Sequence, residues 1–258
     1  MEIISFDLVG KFAHFRKFYT NNTALSFTLP PRTTLMGIVG AILGKPRDTY
    51  YEDFSSDKLR FGIQVKSNIK KTFHRVNYLM IKDNHDFRGR RQHVQTPVEL
   101  ISGYDVARDS VRYRIFVSYH GAGNQSFQQL KKSLFSNKVR YNITLGTANH
   151  TASIENVNFF DEKDVDTIQP EDEFMPVHSA CNSNNVYQIK FDKEDPSRYN
   201  FVEEELMPAD FKANYDREVV KMNRVIYTTG DLPLFAKLKG PIYRRNNNNE
   251  TWNIQFLE

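Results

Sequence analysis

The chain has 258 residues; its 35 Lys/Arg against 31 Asp/Glu give a net charge of +4, and its hydrophobic and charged fractions of 40% and 26% are typical of a globular protein. A single cysteine excludes an internal disulfide and a multi-cysteine zinc site, and it favours a reducing compartment, so we expect a cytoplasmic protein. No apolar stretch is long enough to span a membrane, and the N-terminal apolar run is too short for a signal peptide, so we expect no membrane contact.

The first predicted elements are a strand and a helix joined by a loop. Residues 2–9 predict a strand, and a polar, aromatic-rich loop follows over 10–31. A helix is expected to begin at Thr33, whose hydroxyl can cap it, and to end at Gly44, before Pro46. Its apolar residues have helical spacing: Leu35, Ile38, Val39, Ile42 and Leu43.

The next predicted elements complete the order of secondary-structure elements of a common fold. We predict strands over 59–65 and 111–119, a helix over 125–135 and a strand over 139–145. Without the insertion at 66–108, the elements run β-α-β-β-α-β, which is the ferredoxin-like order of an α+β fold. The insertion alternates polar and apolar residues and has little core of its own, so it predicts an extended hairpin arm that a partner orders.

The chain is expected to divide near residue 150. Residues 1–150 form the ferredoxin-like region, and residues 151–258 form a β-rich C-terminal region packed on it. The acidic triplet 203–205 predicts a solvated turn. In the C-terminal region we predict strands over 186–191, 219–228 and 251–256.

Charge is distributed unevenly along the chain. Residues 60–114 hold 12 Lys/Arg and 5 Asp/Glu, whereas residues 155–218 hold 6 and 17. Residues 115–154 contain no acidic residue. A basic part followed by an acidic part predicts that one face meets a polyanion, although solvated charged faces would give the same pattern.

The loop after the first strand alternates cations and rings. Its candidate RNA contacts are Lys11, His14, Arg16 and Lys17. Four aromatic residues stand between them: Phe12, Phe15, Phe18 and Tyr19. This alternation suits single-stranded RNA, because cations hold phosphates and rings stack on unpaired bases. Core aromatics beside solvent-exposed charges are the alternative.

The start of the first helix is a second candidate. Its free N–H groups and the positive end of its dipole attract anions, and Arg32 and Thr33 stand where they could bind a phosphate. Small residues recur along this helix at offsets of three and four: Gly37, Gly40, Ala41 and Gly44. They allow close approach of a strand or another backbone, but tight packing of the helix on a sheet would require them equally.

The insertion at 66–108 supplies the third candidate. Its cations can follow a phosphate backbone, and a solvated basic turn is the alternative reading of its arginine cluster. The predicted RNA contacts are Lys70, Lys71, Arg75, Arg88, Arg90 and Arg91.

The sequence carries no established catalytic or metal motif, so we predict no catalytic residue, no metal and no cofactor. His178 and Cys181 have ligand spacing but lack a second pair. Four histidines could each act as a general base toward a ribose 2′-hydroxyl, which keeps a metal-independent endoribonuclease open as the alternative function. They are His14, His74, His93 and His120.

Taken together, residues 6–16, 26–27 and 30–44 resemble the N-terminal signature of the fifth Cas protein family. Its members are RAMP-superfamily subunits of Cascade, the type I CRISPR surveillance complex. Residues 95–100 and 141–146 are similar to later motifs of the family. The combination looks most like the type I-B branch.

The resemblance implies a ferredoxin-like RAMP domain with a basic hairpin called the thumb, here residues 66–108. It implies a protein that binds and caps the 5′ handle of the CRISPR RNA, contacts the backbone RAMP subunit and the large subunit, and meets target DNA indirectly. By position, the handle contacts would be residues 11–17, Arg32 with Thr33, and the thumb cations named above.

One branch of the family, in type I-C systems, cleaves precursor CRISPR RNA with a tyrosine and an adjacent Lys-His pair. This sequence contains no Lys-His dipeptide, so the resemblance favours a non-catalytic assembly subunit. A general single-strand RNA binder outside CRISPR immunity is a further alternative.

Overall fold

The fold is mixed α/β and consists mainly of strands. The structure, a computed structural model, describes residues 1–89, 92–170, 172–191, 202–212, 216–247 and 250–258. Among these residues lie two α-helices, α1 over Arg32–Leu43 and α2 over Asn124–Phe135. Neither is long and apolar enough to cross a membrane. Short 3₁₀ helices lie at Asn84–Arg88, Gly121–Gly123, Glu162–Asp164 and Ser183–Asn185.

The strands of the described residues are, in chain order, β1 Ile3–Gly10, β2 Phe12–Ala13, β3 Phe15–Arg16, β4 Ser26–Phe27, β5 Leu59–Val65, β6 Ile69–Leu79, β7 His93–Gly103, β8 Val111–Tyr119, β9 Ala152–Phe160, β10 Asp166–Ile168, β11 Met175–Val177, β12 Cys181–Asn182, β13 Val186–Ile189, β14 Val202–Phe211, β15 Val219–Thr228, β16 Leu234–Leu238, β17 Ile242–Asn247 and β18 Glu250–Ile254.

A four-stranded antiparallel sheet in the order β5-β8-β1-β9 forms the centre of the fold. Together with α1 and α2 this is the ferredoxin-like arrangement, so the predicted fold class is confirmed. Strand β1 is buried on both faces, which explains its nearly continuous apolar sequence. Phe6 and Leu8 pack with the two helices, whereas Ile3 joins a second cluster built around Trp252 of the β17–β18 hairpin.

Two details of the ferredoxin-like region differ from the prediction. The fourth strand is β9, not residues 139–145, so the central sheet extends past the expected division at residue 150. Thr33 lies inside α1 rather than capping it, because the carbonyl of Pro31 accepts the N–H groups of Thr34 and Leu35. Gly44 ends the helix in a left-handed conformation, as expected.

The insertion forms the predicted hairpin. Strands β6 and β7 pair in antiparallel register from Ile69 opposite Gly103 to Leu79 opposite His93. At the base of the thumb, β7 also pairs with β2, so the loop after β1 is hydrogen-bonded to the thumb.

After β9, the described residues of the C-terminal region form three small sheets, in the orders β10-β17-β18, β11-β16-β13 and β12-β15-β14. The acidic triplet 203–205 lies within β14, so its prediction as a solvated turn is wrong. Strand β14 packs against α1, and Met207, Val225 and Leu257 belong to the main core. The C-terminal region is therefore fastened to the ferredoxin-like region by shared core side chains.

Candidate nucleic-acid interface

A groove of about 550 Å³ lies beside the N-terminal half of α1. One wall is the loop 14–18, and another is the strap, which we define as residues 136–147. The ends of β14 and β15 close the groove on the side of the C-terminal region. Both regions of the chain therefore build this groove, and its size is that of a small-molecule site.

The sequence of α1 determines which of its faces lines the groove. Leu35, Met36 and Val39 point into the core, while Thr34 and Gly37 face the groove. A Cβ at Gly40 would lie 2.9 Å from the ring of Tyr50, so close packing accounts for this glycine. The ring of Tyr50, rather than another chain, occupies the space beside Gly40, and its hydroxyl lies beside Gly37.

Tyr51, Asp48 and Arg217 form a hydrogen-bonded group at the groove. The Tyr51 hydroxyl lies 2.5 Å from Asp48 Oδ1, and Arg217 Nε donates to the same oxygen at 2.9 Å. Burial and the bond to Asp48 raise the pKa of Tyr51, so its hydroxyl stays protonated at neutral pH. Sequence reasoning missed Arg217, because 169 residues separate it from Asp48 and it lies in the acidic part of the chain.

The strap is held by its backbone. Its Tyr141 N–H donates to the carbonyl of Ala41 at 3.1 Å, which satisfies a carbonyl in the last turn of α1. The N–H of His14 donates to the Leu145 carbonyl at 3.0 Å. Gly146 has φ +98°, and a Cβ there would lie 1.9 Å from the carbonyl oxygen of His14. The strap therefore approaches the loop 14–18 too closely for any residue but glycine.

The loop after β1 contains both a core aromatic residue and exposed rings, so each of its two interpretations, RNA binding and core packing, holds for part of it. Phe15 is buried in the core, whereas Phe18 and Tyr19 are 57% and 58% exposed and touch edge to face at 5.2 Å. Arg16 is exposed and donates to the Thr20 carbonyl. His14 is buried, with Nδ1 2.7 Å from the Glu99 carbonyl oxygen.

Two of the predicted RNA contacts share one carboxylate. Lys17 Nζ lies 2.7 Å and Lys71 Nζ lies 3.4 Å from Glu205 Oε1. Oε2 of the same carboxylate accepts the Thr28 N–H and the Tyr227 hydroxyl. Burial alone would raise the pKa of Glu205, but the charge of Lys71 and the hydrogen bonds hold it below its ordinary value. Lys17 and Lys71 thus bind β14 to the ferredoxin-like region.

The structure corrects the expected role of Arg32. Its side chain is 2% exposed, and Nη1 lies 2.5 Å from Asp210 Oδ1 and 3.1 Å from the carbonyl of Ala209. Nη2 donates to the carbonyls of Phe54 and Leu59. Arg32 therefore joins α1, the segment before β5 and β14 inside the core, where a phosphate cannot reach it.

The remaining predicted contacts lie at the groove or along the thumb. Thr33 lines the groove, and Arg75 and Arg88 are exposed on the thumb. Lys70 Nζ donates to the Tyr104 carbonyl, and Lys11 Nζ to the carbonyls of residues 107 and 109, so both brace the base of the thumb. Arg90 and Arg91 lie outside the described residues.

The four candidate general bases are far apart in the fold. His14 lines the groove, His74 and His93 stand on the thumb, and His120 Nε2 lies 3.4 Å from a Glu258 oxygen. Over the described part of the chain, no three His, Cys, Asp or Glu side chains are placed to share a metal ion.

Two buried carboxylates predict a loss of stability in acid. Burial alone would raise the pKa of Asp7, but hydrogen bonds from Arg114, Asn156 and Arg112 lower it from 3.8, as Glu205 is lowered from 4.5. Both stabilise the fold fully above about pH 4.5, and this contribution is lost as the pH falls through their folded-state pKa values. We expect Glu205→Gln to be less stable than the wild type by about 1.5–3 kcal/mol at pH 7, and this difference to shrink at pH 3, where the wild type loses the contribution of Glu205 as well.

Urea unfolding at pH 7 and pH 3 tests this, with the exposed Glu173→Gln as control. A wild-type protein that loses no more stability in acid than Glu205→Gln would contradict the assignment.

Comparison with known proteins gives one family and a shared fold. The model of the family described as CRISPR-associated protein (Cas_Cas5) matches residues 3–169. No curated protein sequence matches the chain significantly. Among solved structures, a CRISPR protein from Archaeoglobus fulgidus is similar over 98% of both chains, with a TM-score of 0.55 and 11% identity. A chain of a CRISPR RNA-guided surveillance complex is similar over 90% of this chain and 91% of that one, with a TM-score of 0.51 and 11% identity. These likenesses show a shared fold.

Proposed function

Because the chain belongs to the CRISPR-associated protein (Cas_Cas5) family, we propose that it is a non-catalytic, RNA-binding subunit of a Cascade-type surveillance complex. In this proposal it binds and caps the 5′ handle of the CRISPR RNA in the groove and along the thumb. We further propose the type I-B branch, on the resemblance carried by residues 6–44.

The groove is the observation that carries the proposal. Exposed Phe18 lines it, with exposed Tyr19 next to it, beside the exposed cation of Arg16, and Thr33 and Thr34 open the positive end of α1 toward it. Rings at this position can stack on unpaired bases while the cation and the helix start bind phosphates. Arg217, held by Asp48, adds a positioned guanidinium.

The thumb extends the same chemistry. Phe73, Tyr78 and Phe87 are exposed on it together with Arg75 and Arg88. An exposed ring is costly in water unless a partner covers it, and alternating rings and cations suit a single strand better than a protein surface. The thumb is therefore proposed as the second handle contact.

The proposed partners are the backbone RAMP subunit and the large subunit, and target DNA is met only through the complex, in the cytoplasm. The endoribonuclease alternative is weaker, because the candidate histidines are dispersed and the Lys-His pair of the cleaving branch is absent from the sequence.

Binding of repeat RNA tests the proposal. Arg16→Ala combined with Arg75→Ala is expected to weaken binding of RNA carrying one repeat of the host's CRISPR array at least about tenfold. The slope of log affinity against log salt is expected to become shallower by about 1.4, since each single-strand phosphate contact contributes about 0.7. Fluorescence anisotropy at several salt concentrations measures both quantities.

The matched control removes two exposed lysines of the C-terminal region, Lys163→Ala with Lys190→Ala. Equal weakening by the control would refute the placement of the interface. A scrambled RNA that competes as well as the repeat would favour a general RNA binder, and a defined cut in the presence of EDTA would favour the endoribonuclease.

A further inference from the structure

The outer surface of the strap is basic, aromatic and exposed. Every residue from 135 to 142 is exposed, including Phe135 and Tyr141 at 55% and 56%. The strap lies in the part of the chain, 115–154, that contains no acidic residue. Lys132 at the end of α2, and Lys138 and Arg140 of the strap, are all exposed. Large rings exposed among cations indicate a surface that a polyanion covers.

These cations differ from three of those predicted at the groove and thumb, which are already paired with carboxylates. Lys17 and Lys71 are neutralised by Glu205, and Arg32 by Asp210. Among the described residues, no carboxylate lies within ion-pair distance of Lys132, Lys138 or Arg140. Their charge is therefore available to a ligand without first breaking an internal pair.

The surface is held in place. The N–H groups of Arg140 and Tyr141 donate to the carbonyls of Ile42 and Ala41. The aliphatic part of Arg140 packs against Gly44, where an added Cβ would lie 2.9 Å from Arg140 Cγ. The strap therefore presents its side chains from a fixed backbone, which lowers the entropy cost of binding a ligand.

The surface is also continuous with the groove. Residues 142–144 of the strap line the groove, and Arg140 and Tyr141 lie at the C-terminal end of α1, while the N–H of Lys138 donates to the Ser133 carbonyl of α2. Helix α1 has 12 residues and so spans about 18 Å. A strand that leaves the groove along α1 would meet Tyr141 and Arg140 next.

We propose that the outer surface of the strap is a second RNA site, which binds the segment of the strand that continues out of the groove past the C-terminal end of α1. Lys132, Lys138 and Arg140 bind its phosphates, and Tyr141 stacks on a base. This inference rests on the proposed function, because it takes the groove to hold the first segment of the same RNA. Charge and continuity favour RNA over an acidic protein as the occupant.

The experiment compares two RNA lengths on the full chain. The probes are an RNA of about 6 nucleotides, which the groove alone can hold, and the same RNA extended to about 24 nucleotides. Lys132→Ala with Lys138→Ala is expected to weaken binding of the longer RNA about tenfold and to make its salt slope shallower by about 1.4, leaving the shorter RNA unaffected. The control is again Lys163→Ala with Lys190→Ala, and melting curves establish that both variants fold.

The outcomes separate this inference from the proposed function. If the strap variant binds both RNAs like the wild type, the second site is refuted while the groove stands, and the surface is left to an acidic protein partner. If the wild type binds neither RNA, the proposed function fails and this inference with it. Photo-crosslinking of the longer RNA substituted with thiouridine is expected to label Tyr141, and labelling confined to Phe18 and Tyr19 would refute the second site.

Discussion

Arg32→Ala is expected to destabilise the protein by about 3–5 kcal/mol, because it leaves the Asp210 carboxylate buried without its cation. The change also removes the donors to the carbonyls of Phe54 and Leu59, which hold the segment before β5. Urea unfolding followed by circular dichroism measures the effect. The exposed Arg16→Ala, which removes the same charge, is expected to change stability by less than about 0.5 kcal/mol.

A second variant separates the ion pair from simple loss of volume. Arg32→Met with Asp210→Leu removes both charges, and we expect it to be more stable than Arg32→Ala because no unpaired charge stays buried. If Arg32→Ala folded with full stability yet bound RNA weakly, the structural role of Arg32 would be wrong and the sequence prediction of an RNA contact would be right.

Gly146→Ala is expected to cost about 2–5 kcal/mol, as the sum of a strained backbone and an overpacked contact. The added Cβ would meet the carbonyl oxygen of His14 at 1.9 Å, so the strap and the loop 14–18 must separate. Because these segments form two walls of the groove, we expect RNA affinity to fall with stability. Melting temperature and anisotropy measure the two losses.

Gly240→Ala is the matched control for this change. Gly240 also has a positive φ, +74°, but a Cβ there meets nothing within 4 Å, so the change carries only the backbone strain. Equal destabilisation by the two changes would show that the close contact with His14 contributes nothing.

Elements whose pattern reflects burial could be predicted from the sequence. Strands β5 and β8 and helix α2 lie within a residue of the predicted bounds, because each alternates or repeats its apolar side chains toward one core. The thumb was predicted for a different reason: its polar and apolar residues alternate as in strands, but it has too few apolar residues to form a core of its own.

The fourth strand could not be predicted in the same way. Residues 139–145 alternate as a strand would, and Ile143 and Leu145 are indeed buried. Their backbone hydrogen bonds, however, go to the end of α1, to His14, to His150 in a turn, and to Ala152, the first residue of β9. Strand β9 lies at the edge of its sheet, and of its residues only Phe160 is fully buried, so its sequence carries a weak signal. Local pattern does not reveal which backbone a segment pairs with.

The candidate site shows the same limit. The loop 11–19 and the thumb could be identified because cations and rings alternate within a few residues. The roles of Arg32 and Glu205 could not, because Asp210 is 178 residues from Arg32 and Lys71 is 134 from Glu205. A charge close to a candidate site in sequence can be neutralised by a carboxylate that is distant in sequence.

The thumb also has a consequence for the behaviour of the isolated protein. In the described part of the chain, β6 pairs within its sheet with β7 alone, and it exposes Phe73, Tyr78 and Leu79 over an eleven-residue strand. A long edge with apolar side chains favours aggregation by strand addition, and cations such as Lys70 and Arg75 oppose it by repulsion between copies. Salt screens that repulsion, so raising the ionic strength lowers the barrier to self-association of the isolated protein.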